Sequence, residues 1–333
     1  MRGWVDRRGF LKAGAAFLGA ILAAGRPLPA AGGRSWAPFS PALRIRSGDA
    51  VVIETGADAM DGMVLSSGTE RWVRAFRRRM AEDPRTRFYP GPAALAGPID
   101  VEGAEPGDLL EITILEAVPA PFGFNVRPEP ANGRVAWFRT DRKAYDFGSL
   151  PGARIPLRPF PETLGVLLPG AGGESGRPIG NLGCGELVAG TSLYVPARVR
   201  GAGVMAGDSR LGSRGGVPDG GAPEGAIRMI ALRVTVRRDL AENTGWPFIS
   251  TPSHWIVPAV RGDLLGARET AAREAARFLS ARCGMSGADA RDFIRGRAVF
   301  RIALAGASAV GVHAMIPRSA FGREASARRQ ESS

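Results

Sequence analysis

Few side chains in this sequence can do acid–base, nucleophilic or metal chemistry. Only His254 and His313 offer an imidazole, and only Cys184 and Cys283 a thiol. No Cys-x-x-Cys and no Cys/His cluster occurs along the chain, so the spacing speaks against a structural zinc site. Cys184 could attack an acyl carbon as a thiolate. No base stands beside it in the sequence, however, and it reads as a small buried side chain. Spacing alone does not pair the two cysteines, although an exported chain permits a disulfide. His254 stands beside Trp255 and reads as a packed or loop residue, and His313 lies in an alternating stretch and reads as structural. Asp49 and Asp108 follow glycines in Gly-Asp pairs and read as turn-makers, and Asn181 carries the same turn chemistry.

The elements that must position these residues are mostly short strands. Residues 50–54, 99–102, 109–118, 191–196, 199–205, 226–237, 299–304 and 309–316 carry strand patterns, and Glu111-Ile112-Thr113-Ile114 alternates as a half-buried strand does. Ala104-Glu105-Pro106-Gly107-Asp108 is a turn between two of them. Segments 120–161, 170–180 and 207–225 are rich in Pro and Gly and read as loops. The period changes at 263–282, where Leu264, Ala267, Ala271, Ala275, Phe278 and Leu279 share a helical face and Gly284 suits the stop. Ser286 caps a second short helix to 295. The fold class expected is α+β and β-rich: many short strands forming barrel- or sandwich-like sheets, late helices at about 263–295, and closing C-terminal strands.

The first residues have a different logic. Arg7-Arg8 is followed by Gly9-Phe10-Leu11-Lys12, then a small apolar run over 13–24, then a Pro/Ala/Gly-rich stretch over 25–33. The apolar run is shorter than the roughly 20 residues that span a bilayer. The pattern is that of a twin-arginine export signal. It predicts a leader over 1–33, a working domain over 34–321 with a division into two β-rich lobes near 170–185, and a disordered tail over 322–333. The expected location is the periplasm or the cell exterior, with no membrane association after processing. The formal net charge is +12; the leader carries Arg2, Arg7, Arg8, Lys12 and Arg26 against Asp6, which leaves about +8 for the rest. The arginines are spread along the chain without aromatic interleaving, which argues against a nucleic-acid partner.

One segment is more specific than any of these. Ala96-Gly97-Pro98-Ile99-Asp100-Val101-Glu102-Gly103-Ala104-Glu105-Pro106-Gly107-Asp108 resembles the TGPI-x-VEGAEPGD signature of the acetamidase/formamidase family of amide hydrolases. Gly180-Asn181-Leu182 and the stretch from Glu186 to Leu193-Tyr194-Val195-Pro196 are similar to that family's GGN-x-D turn and the strand ending LYLPV. Gly201-Ala202 to Gly207-Asp208 resembles GAL-x-x-x-GD. Arg261-Gly262-Asp263-Leu264 through Pro317-Arg318-Ser319-Ala320-Phe321 follows the C-terminal helix and the IPKSIF-like ending. These matches run in order over nearly the whole chain after the leader.

The resemblance implies hydrolysis of a short linear amide by a homo-oligomer, with a divalent metal among zinc, calcium, magnesium and manganese. It also shows where this chain departs. The family follows its last Gly-Asp with a loop offering Asp, His, Asp and Glu; here Asp208 is kept, Arg210 stands at the His position, and Ser213-Arg214-Gly215-Gly216-Val217 replaces the acidic stretch. Gly183, followed by Cys184, stands at the Asp of the GGN-x-D turn, and the region of an upstream His reads Phe88-Tyr89-Pro90. By this resemblance the catalytic residues are Asp208, Asn181, Glu105 and Arg210. The metal ligands are Asp61, Asp208, Asp219 and Glu224, a carboxylate set that would favour hard ions over zinc. Asp58 matches the same acidic turn as Asp61, and the charge of Arg210 favours contact with an anionic or carbonyl oxygen of the substrate. The alternative is a non-catalytic relative that keeps the scaffold for binding or structure.

Overall fold

The computed structural model describes residues 43–53, 95–127, 134–142, 144–146, 152–168, 179–181, 183–212, 225, 227–243, 245–305 and 310–321. The leader and tail expected from sequence, and Asp58, Asp61, Asp219 and Glu224, lie outside the described residues. In chain order the strands are β1 (Leu43–Ile45), β2 (Ala50–Ile53), β3 (Leu95–Val101), β4 (Leu109–Pro119), β5 (Phe122–Arg127), β6 (Arg134–Arg139), β7 (Ala144–Asp146), β8 (Arg154–Pro156), β9 (Phe160–Val166), β10 (Ile179–Asn181), β11 (Ser192–Pro196), β12 (Val204–Arg210), β13 (Ile227–Val236), β14 (Phe248–Ser250) and β15 (His254–Arg261). Helices α1 (Leu264–Cys283) and α2 (Gly287–Arg297) follow, and β16 (Val299–Ala305) and β17 (Val310–Pro317) close the chain. The architecture is the β-rich α+β fold expected, with its helices late.

Two sheets dominate. One has the order β1-β3-β12-β9-β10, the other β16-β17-β15-β14-β11-β4-β13-β2. Strand alternation sorts the apolar side chains into two cores. Leu110, Ile112 and Ile114 of β4, Leu232 and Val234 of β13 and Ile256 of β15 pack with Leu164 and Val166 of β9 and with Val204 and Ala206 of β12, so the sheets meet face to face. On the other face of the larger sheet, Val257, Ala259, Val312, Ala314 and Ile316 meet Ala267, Ala271, Ala275 and Leu279 of α1 and Ile294 of α2. The result is three layers: small sheet, large sheet, helices. No described helix is long and apolar enough to cross a membrane.

Local chemistry sets the element ends. Asp263 caps α1 by accepting from Gly266 N at 2.8 Å, and Gly284 ends it at φ 68°. Ser286 caps α2, accepting from Asp289 N. Asp49 and Asp108 accept from the backbone N–H three residues earlier, at Arg46 and Glu105, as turn-makers do. Several segments differ from the sequence reading: β14 and β15 lie where it expects no strand, and β10 begins inside the 170–180 segment read as loop. The stretch 120–161 holds the hairpins β5-β6 and β7-β8 and the start of β9 rather than loop alone. The strand expected at 199–205 begins only at Val204 and runs on to Arg210, because residues 199–203 form a turn with positive φ at Gly201, Ala202 and Gly203. Finally, β9 is buried at every position, so it has no polar alternation to signal it.

Candidate functional site

At one end of the seam between the sheets, charged and polar side chains replace the apolar core. Glu162 shares a strand parity with Leu164 and Val166, which puts it on the inner face of β9. The neighbouring strand β12 pairs Arg210 with Phe160. The Nε of Arg210 donates to Glu162 Oε2, and the two side chains are only 18% and 11% exposed. From the larger sheet, His313 alternates with Val312 and Ala314 and so faces away from the helices, toward the seam. Arg301 is its cross-strand partner on β16.

The turn 183–187 lies between these two groups. Gly183 sits at φ 55°, and a Cβ built there would lie 3.1 Å from Ala303 O and 3.6 Å from Glu162 Oε1. Cys184 and Glu186 project from the same turn, which Leu187 N closes on Cys184 O at 2.9 Å. The Cys184 thiol donates to Glu186 Oε2 at 3.4 Å, while Arg301 Nη1 donates to Glu186 Oε1 at 2.8 Å. One ligand atom each of Cys184, Glu186 and His313 falls within 4.8 Å of the others. Burial pushes the Cys184 thiol well above its ordinary range, and the Glu186 charge adds to the shift. The thiol is therefore protonated, which agrees with reading it as a buried residue and not a nucleophile. Both cysteines are free, so Cys184 and Cys283 form no disulfide.

The residues expected from sequence are distributed unevenly around this seam. Arg210 is in it. Asn181 ends β10 opposite Thr163 of β9, and Asp208 stands in β12 between Gly207 and Ser209, which pair with Thr163 and Pro161; the side chains of both lie outside what is described. Glu105 is elsewhere: its side chain is half exposed, it faces Arg200 at 3.4 Å, and it sits in the turn before Leu109, the end of β4 remote from Thr113 and Ser192. Sequence reasoning missed Glu162, Glu186 and Arg301. Glu162 left one signal, a carboxylate inside an otherwise uncharged stretch of seven residues. Nothing in the spacing links Cys184 and Glu186 to His313, because a β-sheet joins them.

A metal in the seam can be tested against this chemistry. The carboxylate facing Gly183 is already neutralised by the Arg210 guanidinium, and a second cation at Glu162 would meet that charge, so a metal does not fit there. The Cys184, Glu186 and His313 group does offer a metal-type donor set.

Solved structures share this fold. An acetamidase from Bacillus halodurans matches with a TM-score of 0.66 at 23% identity, over 85% of this chain and 94% of that one. A predicted acetamidase/formamidase from the thermophile Thermoanaerobacter tengcongensis matches at 0.63 and 19%, over 85% and 91%. An acetamidase from Yersinia enterocolitica matches at 0.66 and 19%, over 86% and 88%. By sequence the chain matches no protein-family model and no curated protein.

Proposed function

We propose that this protein hydrolyses the C–N bond of a short linear amide of the acetamide or formamide type. The observation that carries the reading is the shared fold: two solved acetamidases and a predicted acetamidase/formamidase match over 85–86% of the chain. Water adds to the carbonyl carbon, the C–N bond breaks, and the nitrogen leaves as ammonia while the acyl group becomes a carboxylate. The step needs a partner for the developing oxyanion. Arg210 supplies a permanent positive charge in a partly buried position, and Glu162 fixes its orientation. Arg210 is therefore assigned to the carbonyl oxygen, with Asp208 and Asn181 on the strands beside it.

A divalent ion in this reading would be held by Asp61, Asp208, Asp219 and Glu224, and not by Glu162, whose carboxylate Arg210 already occupies. When bound it would polarise the carbonyl or acidify a water. As part of the proposal, the reaction runs outside the cytoplasm, on the strength of the arginine pair at Arg7-Arg8. The test is ammonia release from formamide, acetamide and a series of short amides, with and without chelator, by the wild type and Arg210→Met. The reading expects turnover by the wild type and a loss of about 10²–10³ in kcat in the variant, the usual effect of removing one oxyanion partner. No ammonia from any amide would sink it in favour of the non-catalytic alternative.

A further inference from the structure

We propose that Cys184, Glu186 and His313 form a zinc site that fastens the turn 183–187 to β17. Sulfur, carboxylate oxygen and imidazole nitrogen are the three donor types that zinc accepts together, whereas calcium and magnesium require shells of oxygen. Zinc bonds of about 2.0–2.3 Å hold neighbouring ligand atoms about 3.3–3.8 Å apart. Sulfur and carboxylate oxygen already stand at 3.4 Å. With all three atoms within 4.8 Å, closing the set needs movements of about 1 Å, within the reach of side-chain torsions.

The hydrogen bonds around the group divide the carboxylate's two oxygens between two jobs. Arg301 holds Oε1, which orients the carboxylate from outside as an outer partner does, while Oε2 faces the thiol. On binding, the thiol proton leaves to solvent, and the resulting thiolate and Oε2 take the ion; no electron is transferred. Cys184 is fully buried, His313 is 2% exposed and the Glu186 side chain 14%. Arg301, 42% exposed, is the more open member of its pair with Glu186. Three protein ligands leave a fourth position for water. The turn leads from β10 of the smaller sheet to β11 of the larger, so an ion held here also by β17 would tie the two layers together. Sequence spacing argued against structural zinc; the sheet brings the donors together where spacing does not.

The probe is cobalt(II), added to the metal-free full-length protein, with zinc in competition. The proposal expects a thiolate-to-cobalt charge-transfer absorption that saturates at one equivalent, disappears on adding zinc, and is absent from Cys184→Ser. Arg301→Met should weaken zinc binding by about 10–100-fold, the usual cost of an outer partner. Zinc should also raise the wild-type Tm and leave that of Cys184→Ser unchanged. If Cys184→Ser fails to fold, His313→Gln and Glu186→Gln carry the same comparison. No thiolate band in the wild type, or a band that survives Cys184→Ser, overturns the site. Amide turnover is not part of this readout, so the zinc site and the amide reading stand or fall separately.

Discussion

The proposed site is built on the Arg210 and Glu162 pair. Each side chain is less than one-fifth exposed, so each charge has lost most of its water and relies on the other. Arg210→Met alone should destabilise the fold by about 3–5 kcal/mol, because it leaves a buried carboxylate unpaired. Adding Glu162→Gln should return most of that loss, since the orphaned charge is gone. Urea denaturation of the wild type, both single variants and the double variant measures the coupling; additive single effects would show that the pair is not one unit. Arg210 was legible in the sequence as a departure from a familiar pattern. Glu162 was not, because its strand is buried on both faces and shows no period. Cys184 and His313 were read as packed residues, and packed they are; their meeting depends on which strands become neighbours, and spacing along the chain does not encode that.

At the scale of elements, the helix ends, the turn before β4 and the strands β4, β11, β13 and β17 were legible, while β9, β14, β15 and the turn 199–203 were not. Asp263, Gly284 and Ser286 act through local backbone contacts, and local chemistry can be read locally. The same holds for the turn before β4. Gly107 adopts φ 99°, a conformation that L side chains resist, while a Cβ there would meet no atom within 4 Å. The cost of a side chain is therefore backbone strain alone, about 1–2 kcal/mol. Gly107→Val should lower the melting temperature by that measure, with amide turnover preserved at temperatures where the variant is folded. An unchanged melting curve would show that the turn relaxes. Gly97 differs in kind: its Cβ would lie 2.6 Å from Val204 O, so glycine there permits β3 and β12 to approach. Strands β9 and β12 escaped the sequence reading in whole or in part, since proline, glycine and complete burial erase the alternation that marks a half-exposed strand.

On the scale of the whole molecule, three layers with a polar seam at one end of the sheet–sheet core account for the described structure. The expected export signal carries its own prediction. Replacing Arg7 and Arg8 by lysine should leave the protein in the cytoplasm at precursor length, as cell fractionation would show; normal amounts of mature-length protein outside would refute the twin-arginine reading. The central claim is that water cuts an amide C–N bond in this protein. The most direct measurement follows heavy oxygen from labelled water into the acid product, with formamide and acetamide as substrates and mass spectrometry as readout. The account predicts labelled formate or acetate formed together with ammonia, in amounts that rise with enzyme and fall sharply in Arg210→Met. Unlabelled acid, or none from either amide, would contradict it.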